Sequence, residues 1–407
     1  MAAAMIVLKN RKWNWILVLD GVTTGVGTLI VFNIALMVVS TGQDEDVPPV
    51  FVQDVEAAIN KPLRDSDGAP DIYYLIFDGY ASSDTISDYF GHDNDTFVAD
   101  LHRRGFQFAP NSRSNYFYTE YSLKSTLNMQ HINEIPLPEL KTFLRLHDGI
   151  RKRSTSIEST AVANIVEAMG YSVNAWTTSR HHGDNNLLDL LSVMFSPLSE
   201  LVFDNTVMIV ARERLEHFWH LGFGAHNFVE NAPLVIDVAG DPSPTFTYLY
   251  SSPPHPPYIF ERDGKLKENM GPQRLGNIWV PRSGYVDQVV LVNSVILKIV
   301  DAILARTENE PIIIIQGDHG PSSTTGHVDL SEIVSPSVEL LLERSSILNA
   351  MYLPETCKQQ LPKDLTAVNT FRFIFNSCFG ADFALLQGYT YYTHGDGHQF
   401  DFKKVLD

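Results

Sequence analysis

With 407 residues, 44% of them hydrophobic and 19% charged, the chain can bury a large core and is neither a small disulfide scaffold nor a disordered tail. Its 30 basic and 48 acidic residues leave a net charge of −18, and no long basic run interrupts that balance. Such a surface repels nucleic acid and excludes it as a partner, and an anionic substrate needs a local cation to hold it.

Residues 1–46 read as a membrane anchor. Lys9, Arg11, Lys12 and the aromatic pair Trp13 and Trp15 lead into an apolar stretch, of which the 20 residues Gly21–Ser40 carry no charge. About 20 such residues cross the hydrocarbon core, so a transmembrane helix is predicted over about 14–40. Basic residues before it and Asp44, Glu45 and Asp46 after it keep the N-terminal end cytoplasmic. That makes the chain a single-pass protein of the cell membrane with its bulk outside the cytoplasm. A cleaved signal peptide is the competing reading, but its apolar region would be unusually long and no small-x-small site stands out. Residues 47–69, punctuated by Pro48, Pro49, Pro62 and Gly68, form a linker.

The segment 70–390 is predicted to be one α/β domain, a doubly wound, mostly parallel sheet flanked by helices, with 391–407 as a C-terminal tail. Asp71–Phe77 is a short apolar run ending in Asp78-Gly79, the pattern of a buried parallel strand with a functional group at its carboxyl end. Asp84–Arg104 has helical spacing, with acids early and basic residues late, as the helix dipole prefers. Phe106–Ala109 is strand-like. Between Ser114 and Asn128, hydroxyls crowd the start of a further helix. Pro244–Tyr250 is a strand running into Pro253-Pro254-His255-Pro256-Pro257, which pins one histidine in a rigid loop. Val289, Val292, Ile296 and Ile299 mark a helix over Gly284–Arg306. Ile312–Ile315 is a fully buried central strand that ends in Gly317-Asp318-His319-Gly320. Strands alternating with helices, with polar residues at strand ends, define the fold class.

In an open parallel sheet, ligands bind beyond the carboxyl ends of the strands. Asp78, Asp318 and His319 would meet there, and two carboxylates with an imidazole suit one divalent cation. Manganese or zinc fits this donor set best, with magnesium and calcium as alternatives. The Thr119 hydroxyl could complete the shell and, once activated, attack a phosphorus or sulfur ester. Cys357 and Cys378, 21 positions apart, exclude a cysteine-built zinc module and leave either one disulfide or two half-buried thiols. His181 and His182, after Trp176 and Arg180, read as an exposed polar loop, with a substrate groove as the alternative. Thr393–His398 reads as a disordered segment or a loop contact.

The Asp-Gly after the first strand, the Thr-x-x-Ser helix start at Thr119 and Ser122, Gln-Gly-Asp-His-Gly-Pro, and Pro-His-Pro-Pro-Tyr together resemble the alkaline phosphatase/sulfatase superfamily. The resemblance covers roughly residues 70–385 and is closest to the membrane-anchored, sulfatase-like branch that includes lipoteichoic-acid synthase and phosphoethanolamine transferases. It implies that Asp78, Thr119, Asp318 and His319 bind one metal, that Thr119 is the nucleophile, and that His255 contacts the substrate phosphate. Ser122, one turn on, is the alternative nucleophile, and Ser122 and Asn115 are expected to line the substrate site. Sulfatases place Cys or Ser at the nucleophile, followed by Pro and Arg, for oxidation to formylglycine. The stretch Thr119-Glu120-Tyr121-Ser122 has threonine at that position and carries no Cys, no Pro and no Arg. Two-metal phosphatases carry Asp where this chain has Ser251, which favours one ion. The expected activity is phosphoryl-ester hydrolysis or transfer on a small-molecule, lipid-linked or envelope-polymer substrate. A sulfatase and a catalytically silent binding module are the other readings.

Overall fold

The computed structural model describes residues 69–136, 140, 157, 160–177, 244–265, 267, 278–307, 309–357, 359–394 and 401–406. All of them fall in one of the two units into which the chain divides, residues 49–182 and 215–407. The predicted transmembrane span, the linker up to Gly68 and the His181-His182 loop lie outside the described residues.

Six strands form one sheet: β1 (Ile72–Phe77), β2 (Gln107–Phe108), β3 (Ser172–Thr177), β4 (Thr245–Ser251), β5 (Ile312–Gly317) and β6 (Asn349–Tyr352). Their spatial order is β2-β6-β5-β1-β4-β3. The neighbours β5, β1, β4 and β3 run parallel, whereas β6 is antiparallel to both β5 and β2, so the sheet is mixed but mostly parallel, as expected.

The apolar run of β1 serves two cores at once. Ile72, Tyr74 and Ile76 face one side, and Tyr73, Leu75 and Phe77 the other. Because helices cover both faces, neither set of alternate residues can be polar, which is why the strand reads as a continuous apolar stretch. On the first side pack Leu123 and Leu127 of α3 (Thr119–Asn128), Val162 and Val166 of α4 (Ala161–Ala168), and Phe371 and Phe375 of α7 (Thr370–Phe379). On the second side pack Ile86 of α1 (Ser83–Phe90), Phe97 and Leu101 of α2 (Asp95–Arg103), and Val292, Ile296 and Ile299 of α5 (Arg282–Arg306). A further helix, α6 (Val338–Ser345), precedes β6.

Two local features differ from the sequence expectation, the helix over Asp84–Arg104 and the C-terminal tail, whereas the helix expected over Gly284–Arg306 is found. The single helix expected over Asp84–Arg104 is two, because α1 closes on Gly91 in the left-handed conformation (φ 64°) and the chain restarts at Asp95. Among the described residues, α5 is the one helix long and apolar enough to cross a membrane, yet its apolar stripe packs on Tyr73, Leu75, Ile313 and Ile315 of the sheet. Finally, the chain after residue 390 is not all loose tail. Thr390–Tyr392 (β7) pairs with Lys403–Leu406 (β8), and Phe402 packs edge-on against Tyr116 and Tyr121 at 5.6 and 5.3 Å. Two aromatic contacts and a strand pairing fix that end of the chain on the domain.

Cys357 and Cys378 are joined as a disulfide, tying the segment after β6 to α7. Closing a loop of this length restricts the unfolded chain and is worth about 3 kcal/mol. The double variant Cys357→Ser/Cys378→Ser is expected to lose about that much in urea unfolding, and dithiothreitol to lower the wild type to the same level. A wild type whose midpoint ignores reductant would show that the bond contributes nothing.

Candidate active site

The three middle strands end together. In register, Phe77 of β1 lies opposite Gly317 of β5 and Ser251 of β4, so the next residues, Asp78 and Asp318, leave the sheet side by side. The turn after β1 needs its glycine. Gly79 has φ +74°, and a Cβ there would lie 2.2 Å from Cη2 of Trp279. This glycine also donates its N–H to Asp318 Oδ1 at 2.9 Å, as does His319 N at 2.9 Å. The other oxygen, Oδ2, is buried and makes no hydrogen bond of good geometry. Tyr250 donates its hydroxyl to Asp78 Oδ2.

His319 stands between the two carboxylates. Its Nε2 is 3.4 Å from Asp78 Oδ1 and 3.5 Å from Asp318 Oδ2, and all three side chains are buried. Nδ1 lies 3.0 Å from the carbonyl of Gly320, which can only accept, so Nδ1 carries the proton and Nε2 turns a lone pair inward. Thr119, the first residue of α3, places Oγ1 3.0 Å from that same Nε2.

These atoms fit one divalent cation. One ligand atom each from Asp78, Asp318 and His319 lies within 4.8 Å of the others. A tetrahedral ion with bonds of about 2.0–2.2 Å separates its donors by about 3.4 Å, which matches the distances around Nε2. The buried Oδ2 of Asp318 needs a positive partner, and the imidazole is held from behind by a carbonyl, as metal-bound histidines usually are.

The remaining predicted residues occupy different places. Ser122 Oγ donates to the Asp318 carbonyl at 2.6 Å and lies 3.0 Å from Ser114 Oγ, so its hydroxyl fixes the Asp-His turn against the first turn of α3. Asn115 is not brought to the cluster. Its amide donates to Tyr389 O at 2.7 Å and accepts from Val368 N at 2.9 Å, so it bridges backbone segments where a ligand contact was expected. His255 sits at the carboxyl end of β4, its ring 4.8 Å from Trp279 and 6.4 Å from His319, with Nδ1 held by Pro256 O at 2.6 Å.

Sequence reasoning missed Arg344, Trp279 and Tyr250. Arg344 is fully buried near the end of α6. It donates from Nε to Phe117 O at 2.9 Å, from Nη1 to Gly320 O at 2.9 Å, and from Nη2 to His319 Nε2 at 3.1 Å. Its guanidinium lies 5.2 Å from the centroid of the Trp279 ring. Tyr250 lay within reach of inspection, as a hydroxyl one place before the end of a strand that pairs with the Asp78 strand. Arg344 carries no motif, and Trp279 no distinguishing neighbour.

No family model and no curated protein matches the chain. Among solved structures it is similar to the C-terminal periplasmic domain of EptC from Escherichia coli, at 12% identity and a TM-score of 0.48, over 83% of this chain and 93% of that one. It is similar to the soluble domain of lipooligosaccharide phosphoethanolamine transferase A from Neisseria meningitidis, at 12% identity and a TM-score of 0.48, over 82% and 94%. A third is a protein in the alkaline phosphatase superfamily from Vibrio parahaemolyticus, at 10% identity and a TM-score of 0.46, over 84% and 80%.

Burial first, and then the charge of Asp78, push the Asp318 carboxyl up from the ordinary carboxylate range to about 7; the Gly79 N–H, the Thr119 hydroxyl and Arg344 pull the other way. A raised carboxyl makes the folded state bind its proton more tightly than the unfolded chain does. The stability it contributes is therefore full below about pH 4 and lost as pH rises through about 7. Chelator-treated protein is expected to melt at progressively lower temperature between about pH 5 and 8. Asp318→Asn should flatten that slope, and an unchanged slope would place the titration elsewhere.

Proposed function

We propose that the chain is a metal-dependent phosphoryl-ester hydrolase or transferase. It works outside the cytoplasm on a phosphodiester or phosphomonoester, such as a lipid-linked or envelope-polymer headgroup, through a covalent threonine intermediate. The observation that carries this reading is the convergence of Asp78, Asp318 and His319 with the Thr119 hydroxyl at the carboxyl ends of adjacent strands. Asp78, Asp318, His319 and Thr119 would hold one divalent ion, manganese or zinc before magnesium or calcium. When bound, the ion supplies Lewis acidity that favours the alkoxide of Thr119 and withdraws charge from the phosphoryl oxygens.

The chain's own groups supply the rest. Thr119 Oγ1 attacks phosphorus, the bond to the leaving alcohol breaks, and that oxygen takes a proton. With Nδ1 turned to Pro256 O, His255 exchanges protons at Nε2 and is the acid for that step. The phosphothreonine then passes its phosphoryl group to water or to an acceptor alcohol, and Thr119 regains its proton. Ser122 is better suited to positioning than to attack, since its hydroxyl is committed to the Asp318 carbonyl. The sulfatase reading is weaker on chemistry, because threonine cannot become the aldehyde hydrate and both cysteines are joined to each other.

Two features support an extracytoplasmic membrane location. A disulfide persists where the compartment is oxidising. The uncharged segment Gly21–Ser40, with basic residues on its N-terminal side, supports a membrane anchor. Anchoring beside a bilayer favours a lipid-linked ester.

With manganese or zinc added, the full chain is expected to hydrolyse a chromogenic phosphodiester, and Thr119→Ala to lose about 10³-fold or more in turnover. Mass spectrometry of quenched wild-type reactions should find the phosphoryl adduct on Thr119. Wild-type turnover in Thr119→Ala, or sulfate release from an aryl sulfate in place of phosphodiester hydrolysis, would overturn the assignment.

A further inference from the structure

Charge accounting in the candidate site points to a role for Arg344. Two ionised carboxylates, Asp78 and Asp318, cancel one divalent cation, so a site made of those groups alone is neutral. In a chain of net charge −18, that neutral set leaves only the proton of His255 as a further positive charge for a phosphate ester. Arg344 makes the difference, because its guanidinium stays protonated even when buried.

The hydrogen bonds show which part of it is available. Nε and Nη1 are anchored on the carbonyls of Phe117 and Gly320, and the plane lies over Trp279. These contacts fix the fork and aim Nη2 at the cluster, where it donates to His319 Nε2 at 3.1 Å. That nitrogen has a single lone pair. It cannot serve both an arginine N–H and a cation, so loading the site must free Nη2 while the two backbone contacts keep the guanidinium in place.

We infer that Arg344 is the anion-binding residue of this site: its Nη2 donates to His319 in the metal-free protein and is handed to an oxygen of the substrate's phosphoryl group once the cation occupies Nε2. The inference deepens the phosphoryl-ester reading and rests on it for the substrate class. It assigns Arg344 two exclusive partners, so the residue opposes metal binding and favours anion binding. A purely structural arginine, holding Phe117 and Gly320 together, would support both.

The test uses the full chain in detergent and measures two affinities by calorimetry: manganese alone, and inorganic phosphate on manganese-loaded protein. In Arg344→Gln, phosphate is expected to bind about tenfold or more weakly, the loss of one charge-assisted hydrogen bond with its charge. Manganese should bind as tightly as in wild type or more tightly, since a competing donor and a like charge are gone. Arg344→Lys keeps the charge but not the fork, and should fall between the two in phosphate affinity with manganese binding intact. It carries the test if the glutamine variant does not fold. Phosphate affinity within twofold of wild type, or a parallel loss of metal and phosphate, would overturn the inference. Arg344-dependent phosphate binding in a wild type that turns over no phosphodiester would sink the esterase reading and leave this one standing.

Discussion

Two like charges on neighbouring strand ends set the terms for everything around them. Parallel register carries Asp78 and Asp318 out of β1 and β5 at the same level, into a place where both are buried. Carboxylates so placed repel each other, and water cannot screen them, so an unassisted pair would take up a proton or push the turns apart. The residues nearby answer that strain one oxygen at a time. Backbone N–H groups of Gly79 and His319 hold one oxygen of Asp318, and Tyr250 holds one of Asp78. What remains is directed at a point that His319 and Thr119 also reach. A divalent cation there would satisfy both carboxylates and the imidazole lone pair together.

Such an arrangement needs a frame that does not yield. The three strands that supply the site lie in the middle of the sheet and are packed on both faces, so their ends cannot move independently. Trp279 extends this rigidity past the strand ends. It fills the space that Gly79 leaves, stands edge-on to His255 and His319, and supports the Arg344 guanidinium. Polar groups from distant parts of the chain thus share one aromatic wall.

How much of this could be read beforehand follows from where each residue gets its signal. β1, β4 and β5 were legible because burial on both faces writes itself as an uninterrupted apolar run, and the acids at their ends stood out by contrast. Asp78, Asp318, His319 and Thr119 were accordingly named, and the structure places them together. Arg344 was not legible, since its site lies across the chain from its neighbours in sequence: residues 117, 319 and 320 receive its hydrogen bonds. Asn115 was misread for the converse reason. Its position near the helix start suggested a ligand contact, but the carbonyl of Tyr389, just before β7, and the N–H of Val368 take both ends of its amide. The C-terminal ribbon escaped notice because three- and four-residue strands have too few positions to show a period. Their order comes from tertiary contacts, among them Tyr391 N–H to Asn115 O, Thr390 to Ser114 O and the packing of Tyr392 on Phe117.

The chain's excess of acid takes on a different meaning beside this site. Most of those 48 carboxylates make the surface repel a phosphate ester at long range. On the phosphoryl-ester reading, attraction comes from close quarters, where a buried guanidinium and the proposed cation would act through a low dielectric. A substrate delivered from bulk solution would have to cross that repulsive field, whereas one presented from a bilayer next to the domain is already concentrated at short range. On the reading proposed above, an acidic surface with a cationic pocket therefore favours substrates brought by proximity over those captured by diffusion.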